Sequence, residues 1–159
     1  MDIEQHYIDL YRSMHEDKKT YQGVSLFKET PNIANIVLIT NSQTVLDYGC
    51  GKGSQYTDSH LNILFHINDE NIYMYDPGFP EHENIPEGKF DGVISTDVLE
   101  HIPEEIIPKI LDEIYSKANK FVYLAICTRL AHAILPNGEN AHCTVKEPDW
   151  WEKHIIKSN

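Results

Sequence analysis

Short apolar runs alternate with amphipathic segments along this 159-residue chain. Four of the runs are typical of β-strands and cover residues 44–48, 71–75, 92–95 and 121–126. The last run is apolar throughout, as expected of a strand that is buried on both faces of a parallel sheet. Strands that alternate with helices predict a doubly wound α/β fold: a mostly parallel sheet with helices on both of its faces.

Helical periodicity fills the segments before and between these runs. Helices are predicted for residues 3 to about 18, 31–39, 54–65, 103 to about 119, and 148 to near residue 159. In the first segment, Tyr7, Leu10, Tyr11 and Met14 recur at helical spacing, which predicts an apolar face that covers the core. In the second segment, Thr30 is expected to be the N-cap and Pro31 the first helical residue.

A glycine-rich turn follows the first predicted strand. Gly49, Gly51 and Gly53 alternate, so the backbone can turn sharply and approach a ligand where a Cβ would block it. A strand–turn–helix of this kind is expected to present free backbone N–H groups to a bound molecule. A dinucleotide fingerprint needs a third small residue at a fixed spacing, and a phosphate loop needs Gly-Lys followed by Ser or Thr. The spacing of this turn matches neither motif.

Three segments together resemble the class I S-adenosylmethionine-dependent methyltransferases. The turn, with Asp47 before its three glycines, is similar to the family's first motif. In the segment 72–77, an apolar run is followed by Asp76, an acid that could accept hydrogen bonds from two ribose hydroxyls. Residues 90–102, which include Val98-Leu99-Glu100-His101, resemble the family's fourth motif. Each segment alone could be an ordinary turn or helix end, but the three occur in the family's order.

The resemblance implies that the cofactor is S-adenosylmethionine, with S-adenosylhomocysteine as product. It places the methionine portion over the turn formed by Gly49, Cys50, Gly51 and Gly53, with Asp47 holding the ammonium group directly or through water. The ribose is expected on Asp76 beside Pro77, and the adenine near Asp97 and Val98.

The chain departs from the family between the second and fourth motifs. Only residues 77–89 lie there, and they include Pro77, Pro80 and Pro86, so a full helix and strand do not fit. We therefore expect a reduced sheet that lacks the family's third strand. The family's C-terminal hairpin is also expected to be missing, because the sequence stops at Asn159. Adenine contacts would then come from elsewhere in this loop, with Phe79 and Ile85 as candidates.

The amino-acid composition limits which classes of substrate and which cellular compartment are expected. The formal net charge is −12, which argues against a nucleic-acid substrate because phosphate backbones are bound mainly through Lys and Arg. Three cysteines without metal-ligand spacing are expected to be reduced thiols in a cytoplasm. No apolar run approaches the length of a membrane span, so no membrane association is expected. The predicted sheet edge could be covered in a homodimer.

His142 is the first candidate for a general base. It lies in a polar loop after the last strand, and histidine titrates near neutrality, although the same side chain could serve only to shape the loop. Arg129 could bind an anionic acceptor, and Tyr21 could lie over the cofactor or on the surface. His142, Cys127 and Cys143 match no zinc pattern, so no metal site is expected.

Residues 1–159 are interpreted as one methyltransferase-like domain, with a helical cap (1–43) and a cofactor-binding core (44–159). The predicted reaction is methylation of oxygen or nitrogen on a small-molecule or sugar-like acceptor. Two alternatives stay open: a non-catalytic S-adenosylmethionine-binding regulatory or scaffold protein, and an RNA or DNA methyltransferase.

Overall fold

The computed structural model describes residues 2–16 and 25–158, with side chains as far as residue 156. The helices are α1 (Ile3–His15), α2 (Ser25–Thr40), α3 (Ser54–Thr57), α4 (Leu61–Leu64), α5 (Ile107–Lys117) and α6 (Pro148–Ser158). The strands are β1 (Val45–Tyr48), β2 (Ile72–Tyr75), β3 (Phe90–Thr96) and β4 (Ala118–Ala125). Single 3-10 turns lie at Asp69–Asn71, Pro80–His82, Leu99–His101 and Glu104–Ile106.

The four strands form one parallel sheet in the order β2-β1-β3-β4. Val45 pairs with Ile72 on one side and with Gly92 on the other, so β1 is central and the chain reverses its direction of winding there. Ligands bind at such a reversal, in the crevice beyond the carboxyl ends of the strands. The predicted reduced, doubly wound α/β fold is confirmed.

The sheet is covered on both faces because neighbouring strand residues point in opposite directions. Val45 and Ile94 pack with α2 and α4, while Leu46 and Val93 pack with α5 and α6. All four side chains are fully buried. This double burial explains why β1 begins with two consecutive apolar residues, Val45 and Leu46, and why the centre of β3 is apolar without alternation.

Between β2 and β3 the chain forms a loop with one short 3-10 turn, Pro80–His82. Among the described residues, no strand lies beside β2 in the position of the missing third strand. The short, proline-rich sequence of this segment therefore predicted the reduced sheet correctly.

The prediction that α2 begins at Pro31 was wrong. The helix begins at Ser25, and Pro31 lies inside it. The Thr30 hydroxyl donates to the carbonyl of Leu26 at 3.1 Å instead of capping the helix. Leu26 and Ile33, seven residues apart on one helical face, are both fully buried, and this packing outweighs the local preference of the proline.

The predicted helix over 54–65 is broken into α3 and α4. His60, which precedes α4, has a φ of 50°, a left-handed conformation that interrupts a helix. The polar turn 58–60 is exposed, whereas Tyr56 and Leu61 on either side are buried. Burying these two side chains therefore favours two separate turns over one straight helix.

The prediction that α1 covers the core was also wrong, because none of its residues is buried. The helix lies at the carboxyl end of the sheet, as described below. The expected extension to Lys18 and the position of Tyr21 fall outside the described residues. None of the described helices combines the length and the apolar character needed to cross a lipid bilayer.

Candidate functional site

A cavity of about 1090 Å³ lies at the carboxyl ends of the strands, where the order of the sheet reverses. The turns after β1, β2 and β3 form its floor, and the segment after β4 forms a further wall. Helix α1 contributes Tyr7, Ile8, Tyr11 and His15 to the lining. The cavity is large enough for a nucleoside-sized cofactor together with a small second molecule.

The turn after β1 gives the cavity a floor with few side chains. Gly49 has a φ of +88°, and a Cβ added there would lie 2.3 Å from Cγ2 of Val98. The N–H groups of Gly49 and Cys50 both donate to the carbonyl of Tyr75, at 2.7 and 3.1 Å. The sequence predicted free N–H groups in this turn. These two are instead occupied, because they join the turn to the end of β2.

Asp76 stands immediately after β2 and faces the same turn. One carboxylate oxygen accepts from the N–H of Gly51 and the other from the N–H of Gly78, both at 2.8 Å. Each carboxylate oxygen can accept a further hydrogen bond. The backbone thus fixes the orientation of the carboxylate and leaves it with capacity for two ligand hydroxyls.

Asp47 does not line the cavity but lies fully buried behind it. Its carboxylate accepts from the hydroxyl of Tyr56 at 2.8 Å and from Nε2 of Gln55 at 3.3 Å. Burial raises the pKa of Asp47 to about 6, against the effect of these two hydrogen bonds. Gly53, with a φ of +65°, caps α3 and likewise lies outside the lining.

Gln55 stands between Asp47 and the cavity, and it is a site residue that the sequence analysis missed. Its Nε2 donates to Asp47 and to the carbonyl of Cys50, while its buried Oε1 has no hydrogen-bond partner within the described ranges 2–16 and 25–158. Because Gln55 lines the cavity, this oxygen is suited to accept a hydrogen bond from a ligand ammonium group. The donor set thus fits an amino-acid-bearing nucleoside such as S-adenosylmethionine.

Asp97 and Val98 line the cavity after β3. Asp97 has a φ of 54°, its N–H donates to the carbonyl of Ala125 at 2.8 Å, and its carboxylate lies 3.2 Å from Nζ of Lys28. Val98 packs on Gly49, as noted above. The two residues therefore connect the floor of the cavity to the end of β4.

Two histidines meet where the turn after β3 approaches the segment after β4. The rings of His101 and His142 are 4.7 Å apart and nearly perpendicular. Nδ1 of His142 lies 2.6 Å from the carbonyl oxygen of Arg129. Since a carbonyl only accepts, Nδ1 carries a proton and Nε2 of neutral His142 keeps a lone pair. His101 is held on the carbonyl of Ala141, and burial lowers its pKa to about 4.

Helix α1 bridges the two sides of the cavity through polar side chains. The hydroxyl of Tyr11 donates to the carbonyl of Ala141, and that of Tyr7 donates to Glu139, both at 2.7 Å. On the other side, Arg12 donates to the carbonyl of Pro77 at 3.0 Å and pairs with Glu83 at 2.8 Å. The four-residue spacing of Tyr7 and Tyr11 is visible in the sequence, where it predicted an apolar helix face that covers the core.

Most of the predicted site residues therefore share one cavity. Those that line it are Gly49, Cys50, Gly51, Asp76, Pro77, Asp97, Val98 and His142. Asp47 and Gly53 shape the turn from behind. Of the two candidates for adenine contacts in the loop after β2, neither Phe79 nor Ile85 lines the cavity, whereas Gly78 does.

This architecture, with its glycine turn and the acid after β2, defines a class I S-adenosylmethionine-dependent methyltransferase. A family model described as a methyltransferase domain matches residues 18–154, and the chain belongs to that family. Its methyl donor is accordingly S-adenosylmethionine. The cofactor and the class of enzyme predicted from the three sequence motifs are thus confirmed.

A solved structure described as the DhpI–SAH complex has the same fold. The match has a TM-score of 0.59 at 14% identity and covers 98% of this chain and 86% of that chain. The comparison with curated proteins found no match.

Two glycines with nearly the same φ test the close contact in the cavity floor. Gly49 (φ +88°) lies against Val98, whereas Gly138 (φ +89°) has open space around its missing Cβ. We expect Gly49→Ala to weaken S-adenosylhomocysteine binding at least tenfold, as measured by calorimetry, because the turn must move. Gly138→Ala should cost only about 1 kcal/mol of stability and leave binding intact. Equal affinities in the two variants would contradict this role of Gly49.

The raised pKa of Asp47 predicts how the free energy of unfolding changes with pH. The native state holds the proton up to a pH of about 6, whereas the unfolded chain loses it near 4, so wild-type stability falls as pH rises between these values. Relative to Asp47→Asn, the wild type should lose up to about 3 kcal/mol across this window. Urea unfolding of both proteins from pH 4 to pH 7 measures the difference. A difference that does not change with pH would show that Asp47 is ionised throughout.

Proposed function

We propose that this enzyme methylates an oxygen or nitrogen atom of a small-molecule or sugar-like acceptor. The observation that carries the proposal is that His142, whose Nδ1 faces the carbonyl of Arg129, lines the same cavity as the glycine turn and Asp76. A base and the residues suited to the cofactor are therefore brought to one cavity by separate parts of the chain.

The cavity floor suggests how the methyl donor is held. Asp76 would accept hydrogen bonds from the ribose, and Gln55, oriented by Asp47, would accept one from the ammonium group. Gly49, Cys50 and Gly51 leave room for the methionine portion, and Asp97 and Val98 lie beside the expected position of the adenine. S-adenosylmethionine supplies an activated methyl group on a sulfonium sulfur.

His142 would act on the acceptor. The acceptor's lone pair forms the new bond to the methyl carbon as the bond to sulfur breaks, and an acceptor hydroxyl must lose its proton in the process. Nε2 of His142 can take that proton, since the carbonyl of Arg129 holds the ring with Nδ1 protonated. Positioned general bases of this kind contribute about 10²–10⁴-fold to the rate.

The lining of the cavity favours a small acceptor over a nucleic acid. Within the described part of the chain, Arg129 is the sole Arg or Lys among the lining residues, whereas Glu4, Asp76 and Asp97 are acidic. A nucleic-acid backbone would need several cations along its path. Aromatic and aliphatic side chains such as Tyr7, Tyr11 and Ile106 are more suitable for a compact organic molecule or a sugar ring.

We also infer a cytoplasmic location from the cysteine usage, and a homodimer as one way to cover a sheet edge. Size-exclusion chromatography with light scattering measures the mass of the assembly directly.

The function can be tested with a panel of small hydroxyl, amine and sugar acceptors, and with a total RNA sample. Wild-type enzyme and S-adenosylmethionine are incubated with each, and S-adenosylhomocysteine is quantified by mass spectrometry. On the best hydroxyl acceptor, His142→Gln should lower kcat by about 10²–10⁴-fold while cofactor affinity changes little. His66→Ala, an exposed histidine outside the cavity lining, is the control.

Two results would contradict the proposal in different ways. Full activity of His142→Gln would exclude His142 as the base. Turnover on RNA without turnover on any small acceptor would exclude the proposed class of acceptor.

A further inference from the structure

Three side chains with different donor atoms converge beside the cavity. One oxygen of Glu100, Sγ of Cys127 and one ring nitrogen of His142 all lie within 4.8 Å of one another. The residues come from three places in the chain: the turn after β3, the end of β4 and the loop that follows it. Their sequence spacing therefore matches no zinc motif, and Glu100 was not considered as a ligand from the sequence.

Glu100 is the most unusual member of this group. Its side chain is fully buried, and Oε1 accepts from the N–H of Cys127 at 2.9 Å. Oε2 is buried and has no hydrogen-bond partner among the residues that the structure describes. A buried carboxylate oxygen without a partner is costly, and its presence in a native fold requires an explanation such as a bound ion.

The other two residues face the cavity. Cys127 and His142 both contribute to its lining. The hydrogen bond from Nδ1 of His142 to the carbonyl of Arg129 is the arrangement that orients metal-binding histidines, because it leaves the lone pair on Nε2. A partly exposed thiol and an oriented imidazole beside a buried carboxylate make a donor set for a cation.

We propose that Glu100, Cys127 and His142 form a three-ligand site for a divalent cation of the zinc class. Mixed oxygen, sulfur and nitrogen donors suit zinc, and three protein ligands leave a fourth position for water or for a ligand in the cavity. Donor atoms on one tetrahedral zinc lie about 3.5 Å apart, so side-chain shifts of about 1 Å would complete the site.

The site has a consequence for the proposed mechanism, although its existence does not rest on that mechanism. A cation on Nε2 of His142 takes the lone pair that the proposed base uses, so the two roles exclude each other in one molecule. In the cation-loaded protein, the open position would be available to a water molecule or to a donor atom of a ligand in the cavity.

The test uses the purified full chain after removal of metals with a chelator. Zn²⁺ is titrated by calorimetry and Co²⁺ by absorption spectroscopy, without cofactor or acceptor. We expect one Zn²⁺ per chain with micromolar or tighter affinity, and a near-ultraviolet thiolate-to-cobalt charge-transfer band. Cys127→Ser should abolish this band, and Cys127→Ser and His142→Ala should each weaken Zn²⁺ binding at least tenfold.

Matched controls separate the site from incidental binding by other residues. Cys143→Ser changes a half-buried cysteine outside the group, and His66→Ala changes an exposed histidine, so both should keep the wild-type affinity. Absence of stoichiometric Zn²⁺ binding, or its retention in a Cys127→Ser/His142→Ala double variant, would overturn the proposal. A parallel titration with S-adenosylhomocysteine shows whether the cofactor site of the same preparation is intact, and the acceptor assay described above tests the proposed function separately.

Discussion

The junction between the carboxyl ends of β1 and β2 is the constraint on which the site depends. The carbonyl of Tyr75 accepts from Gly49 and Cys50, and the carboxylate of Asp76 accepts from Gly51. Together these bonds hold the glycine turn against the second strand. Gly49 must lack a side chain because Val98 occupies the space where its Cβ would lie. The turn, the acid and the end of β3 therefore have one mutual arrangement, and the cavity forms above it.

Much of the fold follows from local sequence because the two central strands, β1 and β3, are buried on both faces. Their apolar runs stand out from the rest of the chain, and the prolines between β2 and β3 leave no room for another strand. The errors concern helices whose limits depend on tertiary packing. Pro31 lies inside α2 because Leu26 and Ile33 are buried on one face of that helix. The tyrosines of α1 have the spacing of a core face, and a sequence alone does not distinguish a core from the roof of a cavity.

The candidate site was predictable where one motif supplies the residues, and not where the fold brings distant residues together. Glycines and acids at strand ends are visible as motifs, so most of the predicted cofactor residues line the cavity. The depth of a side chain is not visible in a sequence. Asp47 lies behind Gln55, whereas the motif left open whether Asp47 holds the ammonium group directly or through water. The group of Glu100, Cys127 and His142 requires three separate segments, and no spacing rule connects them.

The central claim is that the carboxylate of Asp76, held by the junction of β1 and β2, binds the ribose of the cofactor. The most direct measurement is a calorimetric titration of S-adenosylhomocysteine into wild type, Asp76→Ala and Asp91→Ala. Asp91 also accepts a backbone N–H, from Gln43, but it lies outside the cavity lining. We predict micromolar binding to the wild type and to Asp91→Ala, and at least tenfold weaker binding to Asp76→Ala. Equal affinities for all three proteins would contradict the account.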